Sequence, residues 1–408
     1  MNNLFDIITS ISSFLLILIL IVILIEILFK ILVFFKEKLF YHKIYRKDFL
    51  NKEYSNYLNW IENRSKPMYS YIPIGLRHFN LDNKLVENSS KINSLGFRTY
   101  EFSKKQKNEL RIVLLGGSTA WGCGSGSNET NISGHLEKII NTKKVLLGEK
   151  MYSKVFNLSQ MNGRLTQDIL SLIFYMNELD ADIVITLTGW NELITSYDLD
   201  KKILNKHKFF YLGEMYHWKP TQIPKVRNEV VKSLTLEWLS ENSEILKLFL
   251  KNKSKSNFDI TEKISKNLKL NSSIMVENCN IIKKISKGYK FKTLHFLQPN
   301  VYRKSFLSQT ETKILELYEK HRPVHGGMKF ANFLKNTNIY EFVLEEASKR
   351  SIKIVSLLDI FKKEKQSIFY TLVHVNDLGY KIMAEEIYKN LLININNNST
   401  EQINNAQS

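Results

Sequence analysis

The 408-residue sequence predicts an α/β fold built on a parallel sheet. Three observations carry the prediction. The runs 112–115, 155–158 and 183–188 are short, apolar and β-branched, as buried strands are. Each runs into a polar loop that contains glycine: Gly116 with Gly117, then Gly163, then Gly189. Each loop leads into a stretch of helical character, at 133–140, at 167–179 and in the long segment that begins near 197. Strand, loop and helix in succession demand parallel pairing with helices on both faces, so the three polar loops gather at one sheet edge.

The elements follow in order. Residues 7–25 carry no charge and are dominated by Ile and Leu, and the apolar character continues to Phe35. About 19 such residues at ~1.5 Å each match a bilayer's hydrocarbon core. The start holds Asp6 and no Lys or Arg, and no small-residue cleavage site follows, so residues 1–35 read as an uncleaved single-pass membrane anchor. Lys36, Lys38, Lys43, Arg46, Lys47 and Lys52 crowd its carboxyl side, which by the positive-inside rule places the domain in the cytoplasm. Residues 36–105 form a lead-in that packs on the core, with short extended pieces and glycine turns at 71–77 and 92–98. The α/β domain spans 106–395 and is interrupted by a helical insertion at about 200–290. Phe209, Phe210, Tyr211, Tyr216 and Trp218 in that insertion serve as local packing or as an aromatic wall over the site. Strand and helix alternate again at 292–299, 308–321, 339–349 and 352–355, and a last helix runs to about 392. The tail 396–408 is polar and reads as disordered.

A net charge of +18 favours anionic partners or simply a lysine-solvated surface. No basic cluster carries interleaved aromatics, so a nucleic-acid partner is not expected. Two cysteines, Cys123 and Cys279, exclude a disulfide framework and leave room for one long-range bridge.

The turn after the first strand, Gly116-Gly117-Ser118, holds a hydroxyl at the carboxyl edge of the sheet, where ligands bind in open α/β folds. Ser118 is there either a nucleophile or a helix N-cap. A P-loop is excluded because Cys123-Gly124 stand where Lys and a hydroxyl are required after Gly122. A dinucleotide fingerprint fails at Ser127, and the G-x-S-x-G elbow fails at Ala120. No strong metal-ligand spacing occurs; His321 and His325 give only a weak one. What remains is a serine, a glycine loop, an asparagine loop and a histidine before the final helix. Acyl transfer needs those types: a hydroxyl to attack, an imidazole to take its proton, and donors for the oxyanion.

Gly116-Gly117-Ser118-Thr119, Gly163, Gly189-Trp190-Asn191-Glu192 and His374 ahead of Asn376-Asp377-Leu378-Gly379 together resemble the four ordered blocks of the SGNH/GDSL hydrolases. The resemblance covers about 111–392. It implies a flavodoxin-like three-layer α/β/α fold and no cofactor or metal. It implies Ser118 as nucleophile and His374 as general base, with the Ser118 N–H, the Gly163 N–H and the Asn191 amide as the oxyanion hole. It further implies an esterase that removes acyl groups, acetyl foremost, from a glycan or similar ester. An O-acyltransferase and a binding module in polysaccharide assembly are the alternatives. Two positions depart from the family pattern. Gly117 replaces the usual Asp, and Thr371 stands where an acid three residues before the histidine is usual. The imidazole is then oriented by a backbone carbonyl, by an acid from elsewhere such as Asp359, or by Thr371 through water. Asp377 reads as the cap of the last helix.

Overall fold

The computed structural model describes residues 92–160, 163–193, 260–321 and 338–405, two short strands at 69–71 and 77–79, and part of 13–32. The chain divides into two compact units. One comprises Met1–Asn51 with Met215–Asp259, the other Lys52–Glu214 with Ile260–Ser408.

In the first unit the described residues between Ser13 and Leu32 are helical, and Leu16, Leu20 and Leu24 are exposed. Much of the segment predicted to cross the membrane lies outside the described residues. Among those described, no helix is long and apolar enough to do so. The aromatic residues 209–218, most of the predicted insertion and His325 also lie outside them.

The second unit holds a five-stranded parallel sheet. Its strands are β3 (Glu109–Gly116), β4 (Tyr152–Asn157), β5 (Ile183–Thr188), β6 (Lys292–Leu297) and β7 (Ile354–Ser356), and β1 (Tyr69–Tyr71) and β2 (Arg77–Phe79) pair separately as an antiparallel hairpin. Spatial order is β4-β3-β5-β6-β7. Counted within the sheet this is 2-1-3-4-5, the flavodoxin-like order, whose direction reverses between β3 and β5. All eight residues of β3 are buried, because neighbours flank it on both sides and helices cover both faces. Alternation sorts its side chains: Val113 and Leu115 enter one core, Ile112 and Leu114 the other. The first core is closed by α3 (Leu165–Leu179), α5 (Ile260–Tyr289) and α7 (Glu341–Lys349). The second is closed by α2 (Ile132–Lys143) and α8 (Asp377–Asn405). Two four-residue helices, α1 (Ser118–Trp121) and α4 (Trp190–Leu193), follow β3 and β5, and α6 (Gln309–His321) follows β6.

Three differences from the sequence reading have local causes. Residues 92–98 fold as a turn rather than an extended piece, because Asn93 Oδ1 accepts the Leu95 and Phe97 N–H groups. Helix α8 continues through Asn405, beyond the end predicted near 392 and into the tail read as disordered, since a helix once nucleated adds one hydrogen bond per residue fixed. Cys123 and Cys279 are both buried thiols, and no disulfide links them.

Candidate active site

Strand β3 delivers the site. Gly116 has φ +145°, and a Cβ there would fall 2.1 Å from the Leu187 carbonyl of β5, so only glycine lets the chain turn at this point. Gly117, in extended conformation, occupies the N-cap of α1 and Ser118 is its first residue. Ser118 is therefore not the cap, and its side chain is spent elsewhere. Its Oγ lies 2.7 Å from His374 Nε2, across 256 positions of sequence.

His374 stands near the tip of a short loop whose limbs pair at Phe369 and Val375. The Tyr370 N–H donates to the His374 carbonyl (2.9 Å) and the Asn376 N–H to the Ile368 carbonyl (2.9 Å). The Glu311 carboxylate grips the base of the loop, accepting from the Ile368 N–H (2.9 Å) and the Phe369 N–H (3.0 Å). Its other oxygen accepts from Lys304 Nζ (2.6 Å) and the Ser308 N–H (2.8 Å), and both side chains of this ion pair are fully buried. Across the site, Thr119 Oγ1 donates to the Val373 carbonyl (3.2 Å) and accepts from Gln298 Nε2 (3.2 Å), tying α1 to the histidine loop.

A threonine faces the other ring nitrogen of His374. Thr371 Oγ1 lies 2.9 Å from His374 Nδ1, and it also accepts from the His374 N–H (3.1 Å). Asp359 pairs at the surface with Arg303 Nε instead, at 3.3 Å. A hydroxyl differs from a carboxylate in two ways. It carries no charge to stabilise an imidazolium, and it can donate as well as accept, so it leaves both imidazole tautomers open. Only the tautomer protonated on Nδ1 turns a lone pair on Nε2 toward Ser118.

On the other side of Ser118 the loops after β4 and β5 meet. Asn191 Nδ2 donates to the Gly163 carbonyl at 2.8 Å, and a Cβ on Gly117 would come within 2.5 Å of that same amide nitrogen. The glycine at 117, unusual for the resembling family, is what leaves the amide room to lie over the peptide leading into Ser118. The Gly163 N–H, expected as an oxyanion donor, closes a turn on the Gln160 carbonyl at 2.9 Å. Gly163 thus meets the site through its oxygen. Ser118 meets His374 directly, and Asn191 meets the Gly163 carbonyl beside them.

Beneath these loops lie groups whose function the motifs did not signal. Glu192 Oε1 accepts from the Leu165 N–H (3.0 Å) and Thr188 Oγ1 (2.7 Å), and its Oε2 accepts from the Gly189 N–H (3.0 Å). Asp168, fully buried, finds no hydrogen-bond partner among the described residues. Burial, reinforced by the Glu192 charge, pushes its pKa well above the carboxylate range, with a partial offset from the nearby Gly116 N–H. Burial and then the same Glu192 charge raise Tyr340 as well. Asn376, not Asp377, caps α8, accepting from the Gly379 N–H at 2.9 Å; Asp377 Oδ1 instead holds the Gly126 N–H at 3.0 Å. Glu311 did have a sequence signal, because Ser308-x-x-Glu311 is a capping box. Thr119 and Gln298 had none. Among the described residues no group of three His, Cys, Asp or Glu is placed to hold a metal ion.

No family model matches the chain, and no curated protein matches it in sequence. Solved structures are distantly similar. A lipase from a goat rumen metagenome is 14% identical, covering 68% of this chain and 95% of its own, with a TM-score of 0.37. An acetylxylan esterase from Geobacillus stearothermophilus, in a catalytic mutant form, is 10% identical over 69% of this chain and 94% of its own, at a TM-score of 0.34. A two-domain esterase active on acetylated mannans is 12% identical over 70% of this chain and 50% of its own, at a TM-score of 0.35. At these scores the functional reading rests on the site itself, a serine hydroxyl against an imidazole at the carboxyl edge of a parallel sheet.

Proposed function

We propose that the chain is a serine esterase of SGNH type that removes acyl groups, acetyl foremost, from a glycan or similar ester. The observation that carries the reading is the 2.7 Å contact between Ser118 Oγ and His374 Nε2, with the Asn191 amide beside it. In the reaction, Ser118 Oγ bonds to the ester carbonyl carbon as His374 Nε2 takes the hydroxyl proton. The carbonyl oxygen becomes an oxyanion, held by the Ser118 N–H at the start of α1 and by the second N–H of the Asn191 amide. Collapse breaks the bond to the alcohol, which leaves with the proton from His374. Water, deprotonated by the same imidazole, then attacks the acyl carbon; the bond to Ser118 Oγ breaks, the acid is released, and His374 returns the proton to Oγ. Capture by a sugar hydroxyl in place of water makes the same site an O-acyltransferase. The glycan and the acetyl group come from the family resemblance of the four sequence blocks.

The protein is further proposed to be held in the cell membrane by residues 1–35, with the α/β domain on the cytoplasmic side. The support is the uncharged run 7–25 and the lysines that follow it.

A fluorophosphonate probe on the purified chain tests the mechanism. Wild type is expected to be labelled and Ser118→Ala not; labelling that persists in Ser118→Ala removes the nucleophile assignment. Product analysis on an acetylated sugar, with and without an acceptor sugar, separates hydrolysis from transfer. A reporter fused after Ser408 reads the side of the membrane, and activity confined to an exported fusion overturns the cytoplasmic placement.

A further inference from the structure

We propose that Glu192 is a positioning residue for the oxyanion site, clamping the Asn191 amide through a closed ring of hydrogen bonds. The inference rests on the esterase reading and extends it to a residue that never touches substrate.

Asn191 sits in α4, just after β5, and Gly163 in the loop after β4. The ring ties them together. Asn191 Nδ2 donates to the Gly163 carbonyl at 2.8 Å. Two residues on, the Leu165 N–H donates to Glu192 Oε1 at 3.0 Å. Glu192 is covalently next to Asn191, which closes the circuit. Its contacts with Thr188 Oγ1 at 2.7 Å and with the Gly189 N–H at 3.0 Å fix the carboxylate to the end of β5. These donors lie at the start of α3, at the end of β5 and in the turn that follows β5. The side chain is 8% exposed, so water competes little for these bonds. A carboxylate suits the place because it accepts at every lone pair, whereas an amide turns a donor toward one of three N–H or O–H groups. One N–H of Asn191 is consumed by the ring, and the other is thereby aimed rather than left to rotate. Catalysis needs that aim, since a donor displaced by a fraction of an ångström stabilises the transition state far less than the ground-state contact suggests.

A mutant cycle on the full chain tests this, using p-nitrophenyl acetate as substrate. Asn191→Ala removes the donor and is expected to lower kcat about 100- to 1,000-fold. Glu192→Gln is expected to lower kcat about 10- to 100-fold with KM nearly unchanged, because the ring is broken but the donor persists. The double variant is expected to match Asn191→Ala alone, as residues that act as a unit do. Thr188→Val, which removes one ring-anchoring donor, and Glu192→Asp, too short to span to Leu165, run in the same cycle in case Glu192→Gln does not fold. Losses that multiply with Asn191→Ala, or full kcat in Glu192→Gln, overturn the clamp and leave the esterase reading intact. Wild type that neither turns over the ester nor takes up a fluorophosphonate overturns the reading itself, and the clamp with it.

Discussion

The Thr371 hydroxyl lies 2.9 Å from His374 Nδ1, on the side of the ring opposite Ser118. The site has the geometry of a triad with its charge removed. The Val373 N–H (3.4 Å) and the His374 N–H (3.1 Å) both point at Thr371 Oγ1, so the surroundings suit an anion. Thr371→Asp is expected to raise kcat for p-nitrophenyl acetate by about 10- to 100-fold, part of the ~10⁴ that an oriented acid contributes in a serine protease. Thr371→Val, which removes the hydroxyl facing Nδ1, should lower it. An Asp variant no faster than wild type would mean that tautomer control does not limit the rate.

The Lys304–Glu311 pair supports the histidine loop from below. Removing one partner of a buried ion pair strands the other, at a cost of about 3 to 5 kcal/mol. Glu311→Gln should therefore lower the urea midpoint strongly and take esterase activity with it. Glu345→Gln, which breaks the exposed contact of Glu345 with Lys349 at 2.9 Å, should barely move the midpoint. Similar midpoints for the two variants would exclude the buried pair as the loop's foundation.

His295 on β6 is fully buried, with Nδ1 against Thr186 Oγ1 at 3.0 Å, and burial lowers its pKa from 6.5 to about 4. The folded state thus resists protonation that the unfolded state accepts. Its contribution is present above pH 6.5 and lost as pH falls toward 4, amounting to about 3 kcal/mol over that window. His295→Gln should flatten the dependence of stability on pH between 6.5 and 4. Denaturant melts at pH 7.5, 5.5 and 4.5 read the difference, and parallel losses in both proteins would place the acid sensitivity elsewhere.

Asp168 works in the opposite direction. Its folded pKa is raised above the ordinary 3.8, so the stability it lends is present below that value and lost as pH rises through the folded pKa. Asp168→Asn keeps the shape and removes the ionisation. The variant should gain stability relative to wild type at pH 8 and show little gain at pH 4. A loss at both values would mean that the carboxyl, not its neutral form, is what the fold requires.

The strands were legible because a buried parallel strand is written as an apolar run closed by glycine. Ile183–Thr188 falls where that pattern places it, and Glu109–Gly116 and Lys292–Leu297 differ only at their ends. Ser118 and Asn191 were singled out as polar types just after strands, and His374 as a histidine just before the final helix; the structure brings Ser118 and His374 into contact. The N–H of Gly163, expected to face an oxyanion, bonds to the Gln160 carbonyl three positions earlier, and composition is silent on such turns. The cap of α8 was displaced by one residue for a similar reason: Asn376 and Asp377 are both good caps, and the bond of Asp377 to the Gly126 N–H depends on a loop 251 positions away. The bonds of Glu192 to the Leu165 N–H and of Glu311 to the Ile368 and Phe369 N–H groups reach segments distant in sequence, which no local pattern records.

Arg98 lies outside the predicted 106–395 domain, yet its guanidinium reaches the Gly122 carbonyl at 2.8 Å, just past the end of the helix that begins with Ser118. It also covers the face of Trp121, 4.8 Å from the ring centroid. Phe97 beside it is buried among Phe102 and Tyr175. A soluble fragment designed for expression should therefore begin upstream of Ile92. One cut at 106 keeps every residue named in the chemistry and discards the support of the helix that presents the serine.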